Sequence, residues 1–176
     1  MDSFKWPWQY DFPPFFTLQP NLNTREKQLE AWASLVLDYC QHQKIYTLDV
    51  AEAQNCVLFY NPRIERKLST EGVRCVLDQL EKRRHVEWVD KHRNRCHIYW
   101  RRPEEWAKLI YDWVVSNGLL NSVCTLYELM QGDDAAGESF HGLEKEVLLK
   151  ALNHLVGEGR AELITVGGNE GVKFFQ

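Results

Sequence analysis

The chain has 176 residues, 44% of them hydrophobic and 26% charged, with a formal net charge of −4. That length allows one domain or two small ones, and the acidic balance argues against the broad basic surface on which non-specific nucleic-acid binding rests. Five widely spaced cysteines with no C-x-x-C pair suggest neither a zinc site nor a disulfide framework, and no apolar run approaches the length of a membrane span.

The first sixteen residues hold Phe4, Trp6, Trp8, Tyr10, Phe12, Phe15 and Phe16, seven of the chain's 22 aromatics. Pro7, Pro13 and Pro14 fix φ and lack a backbone donor, so this segment is expected to be an extended arm rather than a helix. Aromatic side chains dominate protein–protein hot spots. The arm is therefore read as inserting Trp6, Pro7, Trp8, Tyr10, Phe12, Pro13, Pro14, Phe15 and Phe16 into pockets of a partner. The alternative is an edge segment folding back on its own domain. No basic and apolar leader pattern, N-myristoylation site or C-terminal prenylation box is visible, so membrane contact is expected to come through a partner.

After the arm, Asn23 or Thr24 can cap a helix over about 24–42, with Leu29, Trp32, Ala33, Val36 and Cys40 at helical spacing. Tyr46–Leu48 reads as a short strand, and Asp49 with Glu52 as a capping box for a brief second helix. Pro62 breaks the chain. Ser69 starts a third helix over about 70–83, and strands at 86–89 and 96–100 follow, joined by a polar turn.

The order then repeats. Pro103 opens a helix with Trp106, Leu109, Ile110, Trp113 and Val114 on its apolar stripe, and Asn117-Gly118 ends it. Thr125-Leu126 parallels Thr47-Leu48, 78 positions on. A short helix covers 126–130, and a polar loop runs from Gly132 to Gly142 around Phe140. A third helix carries Val147, Leu148, Ala151, Leu152 and Leu155. A hairpin turns at Gly167-Gly168-Asn169. Third helix and hairpin align at an offset of 75, with Tyr99 and Trp100 on Phe174 and Phe175.

An internal repeat of this length means two copies of one small domain. Helix–strand–helix–helix–hairpin is the winged-helix order. The expected fold is α+β, mainly α: an arm at 1–22, one winged helix at 23–101 and a second at 102–176, rigidly joined at Pro103.

Winged helices often read DNA, and Lys82, Arg83, Arg84, Lys91, Arg93 and Arg95 surround the first wing. The third helix also carries Glu71, Asp78 and Glu81, and the second copy holds Glu144, Glu146 and Glu158 in the corresponding region. Residues 101–176 have 7 Lys and Arg against 12 Asp and Glu. Direct nucleic-acid binding is not expected. A transcription-linked nucleic-acid-binding winged-helix protein is the alternative reading, and anionic lipid headgroups or an acidic partner suit the patch somewhat better. The six histidines are scattered, and no nucleophile, phosphate-loop or metal-ligand pattern is present. Cys96 and His97 are adjacent on a strand and point to opposite faces. Catalytic residues, metals and cofactors are accordingly expected to be none. Glu104, Glu105, Lys108 and Asp112 on the helix starting at Pro103 are a candidate second partner surface.

The run Phe4-x-Trp6-Pro7-Trp8-Gln9-Tyr10-x-Phe12-Pro13-Pro14-Phe15-Phe16-Thr17-Leu18-Gln19-Pro20-Asn21 closely resembles the N-terminus of the small-subunit family of the ESCRT-II complex. So do Trp100-Arg101-Arg102-Pro103-Glu104-Glu105-Trp106, Thr125-Leu126-Tyr127-Glu128-Leu129, Phe140-His141-Gly142-Leu143 and Gly171-Val172-Lys173-Phe174-Phe175. The resemblance implies two tandem winged helices that mediate protein contacts, with no enzymatic activity. It further implies a hetero-oligomer holding two copies of this subunit, whose arm docks the larger ESCRT-II subunits through Pro-Pro-x-aromatic motifs. Pro13-Pro14-x-Phe16 fits that motif, and Pro7-Trp8-Gln9-Tyr10 departs from it at Trp8. The second domain is implied to recruit an ESCRT-III subunit during sorting of ubiquitinated membrane proteins into multivesicular bodies. The implied location is the cytoplasm and, peripherally, the endosomal membrane, with a nuclear pool also allowed.

Overall fold

The structure, a computed structural model, describes residues 3–176, with Val166 described by its backbone alone; Met1 and Asp2, where the arm begins, lie outside the described residues. The chain divides into two compact units after Trp100, and Arg101–Gln176 form the second.

In the first unit, α1 spans Leu22–Gln43. Its N-cap is Asn21, whose side chain accepts from the Thr24 amide at 3.0 Å, so the helix starts two residues before the expected range. Lys44 in the left-handed region ends it. Strand β1 (Thr47–Asp49) leads into α2 (Val50–Ala53), where the Asp49 carboxylate accepts from the Glu52 amide at 3.2 Å. A small hairpin, β2 (Tyr60–Asn61) and β3 (Arg66–Lys67), lies where the sequence suggested only a break at Pro62. Two-residue strands are too short for a period-two signal. Helix α3 (Thr70–Lys82) is capped by Ser69 through the Gly72 amide. A Cβ on Gly72 would come within 2.6 Å of the Leu68 side chain, so any larger residue there would have to displace that buried leucine. Strands β4 (Val86–Trp88) and β5 (Arg95–Ile98) complete an antiparallel sheet in the order β1-β5-β4. Trp32, Val36, Phe59, Leu68, Val76, Leu77, Leu80 and Ile98 fill the core.

The second unit repeats the plan with α4 (Pro103–Ser116), β6 (Val123–Thr125), α5 (Leu126–Gln131), α6 (Lys145–Gly157), β7 (Ala161–Val166) and β8 (Asn169–Phe174). Its sheet order is β6-β8-β7. Gly167 and Gly168 both have positive φ, as a two-residue turn between right-twisted strands requires. The loop at 132–142 is not merely polar: Phe140 is buried, with its ring 5.6 Å from that of Trp113. The two units are winged-helix domains.

The register refines the repeat. Val86 pairs with Ile98, twelve positions on, whereas Ala161 pairs with Phe174, thirteen on. The second hairpin therefore contains one extra residue. The offset of 75 holds from α3 to β4 and becomes 76 at β5, so Ile98 rather than Tyr99 corresponds to Phe174. The same 76 relates Thr47, paired with His97, to Val123, paired with Lys173. The counterpart of Thr125 is thus Asp49 rather than Thr47, and both cap the helix that follows. The Thr125 hydroxyl accepts from the Glu128 amide at 3.0 Å.

Candidate partner-docking face

The arm is not extended throughout. Two single 3-10 turns, Trp8–Asp11 and Pro13–Phe16, interrupt it. Proline does not prevent this, because at the first position of a turn its missing N–H is not needed and its fixed φ already suits the turn. With about three residues per 3-10 turn, the every-second-residue spacing of the aromatics no longer maps onto two faces.

The rings divide instead by turn. Tyr10, Phe15 and Phe16 are buried within their own unit, while Trp8, Phe12, Pro13 and Pro14 are exposed. Trp6 and Pro7 are half-buried. Of the nine arm residues read as docking elements, Tyr10, Phe15 and Phe16 are packed inside their own domain in this structure. Tyr10, Phe15 and Phe16 attach the arm to its own domain, because α1 offers them an aromatic seat. The Phe15 ring lies on Trp32 at 4.3 Å with the planes 4° apart, and Phe16 meets the same indole edge-on at 5.3 Å. Trp6 stacks on Tyr10 at 3.9 Å, and Phe4 contacts Tyr39 edge-on at 5.3 Å.

Polar groups fix the register of this seat. The Trp32 indole N–H donates to the Phe15 carbonyl at 2.8 Å. The Gln28 amide nitrogen donates to the carbonyls of Phe15 (2.9 Å) and Thr17 (2.8 Å), and its oxygen accepts from the Gln19 amide at 3.1 Å. Asn61 donates to the Tyr10 carbonyl at 2.7 Å, and Arg63 pairs with Asp11. The Tyr10 hydroxyl donates to the Val57 carbonyl. Burial pushes the Tyr10 phenol up to about 12, partly opposed by the Arg63 cation. Gln28, Trp32 and Asn61 were not singled out from sequence as arm contacts. Gln28 and Trp32 stand four residues apart, which brings them to one face of α1.

What remains outside is compact. Trp8 is 70% exposed and Phe12 47%, and their rings pack edge-to-face 5.6 Å apart. They border a groove completed by Pro14, Lys27 and Ala31. An exposed aromatic pair on a fixed base loses little conformational entropy when it is covered.

The sequence matches the family model for an ESCRT-II complex subunit over residues 9–144. The chain belongs to the ESCRT-II complex subunit family. It is 61% identical to vacuolar protein-sorting-associated protein 25 of Danio rerio over 98% of this chain and 99% of that one. Against the protein of that name from Homo sapiens the identity is 55% over 98% of both chains. Among solved structures, subunit VPS25 of the endosomal trafficking complex ESCRT-II superposes with a TM-score of 0.84 at 30% identity, covering 96% of this chain and 97% of that one. A structure of the complex VPS22/VPS25/VPS36 contains a chain matching at a TM-score of 0.81 and 30% identity, over 96% and 98%.

Within this ESCRT-II subunit, the second candidate surface lies on α4. Glu105, Lys108 and Asp112 are exposed and Glu104 is half-buried. Glu105 accepts from the Arg102 amide at 3.1 Å and so closes the helix start, while Lys108 and Asp112 pair at 2.8 Å one turn apart. Leu109 and Val115 add exposed apolar area to this helix. In the same unit Trp106 is fully buried, as its place on the apolar stripe of α4 requires, and Tyr127 is exposed. Cys96 and His97 are both buried, and burial raises the Cys96 thiol to about 12. Among the described residues no cluster of His, Cys, Asp and Glu could hold a metal.

Proposed function

We propose that this chain is a non-catalytic assembly subunit of ESCRT-II whose arm docks the larger subunits through its outward half. Trp8 and Phe12, with Pro13 and Pro14 beside them, are the contact side chains. Tyr10, Phe15 and Phe16 hold that contact surface in shape from below. The observation that carries the reading is the Trp8–Phe12 pair, left exposed on a segment otherwise fixed by side-chain hydrogen bonds to backbone carbonyls. Exposed aromatics on a rigid base are what a hot spot consists of. Support for the complex comes from relatives: the solved VPS22/VPS25/VPS36 complex contains a chain of this fold.

In this reading two copies join each complex, which sorts ubiquitinated membrane proteins into multivesicular bodies. The chain works in the cytoplasm and reaches the endosomal membrane with its complex. The second winged helix recruits an ESCRT-III subunit, with the exposed face of α4 around Glu105, Lys108, Leu109 and Asp112 as its contact. Co-expression with the two larger subunits tests the assembly role. One complex containing two copies of this chain is expected, and a chain that elutes alone in the presence of both overturns it.

A further inference from the structure

The first wing carries a charge that its counterpart in the second domain lacks. Residues 82–95 contain six Lys and Arg against Glu87 and Asp90, whereas residues 157–170, at the repeat offset, contain Arg160 against Glu158, Glu162 and Glu170. The fold requires neither composition, since each hairpin takes the equivalent place in its own three-stranded sheet.

The wing tip is also built to stay in place. The Asp90 carboxylate accepts from the amides of Asn94 (2.9 Å) and Arg95 (3.1 Å), closing the loop on itself. Arg93 pairs with Asp78 of α3 and lies 5.2 Å over the Trp88 ring. Arg74 of α3 donates to the Arg93 carbonyl (3.4 Å) and to the Asn94 side chain (3.1 Å). On this base Lys82, Lys91, His92 and Arg95 are exposed. Val89, whose amide donates to the Arg95 carbonyl at 2.9 Å, is 56% exposed beside them in the wing.

We infer that the first wing binds anionic lipid directly, with Lys82, Lys91 and Arg95 facing the headgroups and Val89 entering the interface. This contact is separate from the arm and does not depend on the docking reading. Two features favour a membrane over a nucleic acid. An exposed apolar side chain on a cationic wing suits a bilayer surface, where cations meet phosphates and an apolar group enters the acyl boundary. The α3 surface that a groove reader would use carries Glu71, Asp78 and Glu81. A patch of this size gives weak binding. Its effect is to add to whatever membrane contact the assembled complex makes, by raising effective concentration.

Co-sedimentation of the full chain with vesicles tests the inference. The probes are phosphatidylcholine alone and phosphatidylcholine with about 30% phosphatidylserine, a strongly anionic surface. Binding to the anionic vesicles only, weakening as salt rises, is expected. Lys91→Glu with Arg95→Glu should lower it by at least tenfold, since each cation near an anionic surface accounts for about fivefold. Val89→Asp should weaken it, and Val89→Trp should strengthen it, because tryptophan favours the interface. Lys82→Glu, at the end of α3, serves as an independent variant should the pair perturb folding. Equal binding to neutral vesicles, no binding to either, or unchanged binding by the charge-reversed variants overturns the inference. So does a short DNA duplex that binds more tightly than the vesicles and loses that binding in the same variants.

Discussion

Phe15 and Trp32 hold each other twice. The rings stack 4.3 Å apart and 4° from parallel, and the Trp32 indole N–H donates to the Phe15 carbonyl at 2.8 Å. One residue of the arm is thereby bound to one residue of α1 through both its side chain and its backbone, in a buried site. A ring in this setting belongs to the fold before it belongs to any partner.

Phe15→Ala should therefore destabilise the first domain by about 3–5 kcal/mol, the range for removing a buried aromatic. Urea unfolding monitored by circular dichroism measures it. A loss below about 0.5 kcal/mol, the level of an ordinary surface change, would show that the arm does not pack as described.

Trp8→Ala should leave stability within about 0.5 kcal/mol, since its side chain projects into solvent. Its loss should instead appear in affinity for the larger ESCRT-II subunits, by about 2 kcal/mol, or roughly thirtyfold in Kd. Titration calorimetry with the two larger subunits reads it.

Alkaline pH should loosen the arm. The Tyr10 phenol, ordinarily near 10, is raised to about 12 by burial, and Tyr39 is raised to about 12 for the same reason. Above pH 10 the unfolded chain releases these protons first. Stability from the neutral phenols is therefore complete below pH 10 and is lost as pH rises towards 12. Tyr10→Phe should flatten part of that decline in a pH series of thermal melts, although it also forfeits the bond to the Val57 carbonyl.

Gly168→Ala should cost about 1 kcal/mol, because this position has φ of +84° in the hairpin turn. The open space around it leaves conformation as the sole cause. Gly137→Ala, with equally open surroundings and no positive φ, is the control and should be near neutral. Thermal melts of the two variants side by side make the comparison.

Much of this architecture was legible in the chain because its signals are local. Ser69 and Asp49 announce helix starts, Gly167-Gly168 announces a hairpin, and the spacing of Val73, Val76, Leu77 and Leu80 announces the buried face of α3. The register shift between the two hairpins was not legible, since one extra residue leaves the hydrophobic pattern of β8 superficially aligned. The inward turn of the arm was also hidden. Nothing within 1–20 tells Phe12 from Phe15, and what separates them is a seat made by Trp32 and Phe59 far along the chain. Prolines that read as guarantees of extension instead initiate a turn that delivers two rings to that seat.

The central claim is that the arm is anchored from within and docks from without. The double variant Trp8→Ala, Phe12→Ala, co-expressed with the two larger ESCRT-II subunits, separates these roles in one purification. The account predicts a folded chain with an unchanged melting temperature that fails to copurify with them. Recovery of the intact complex at normal stoichiometry would contradict it.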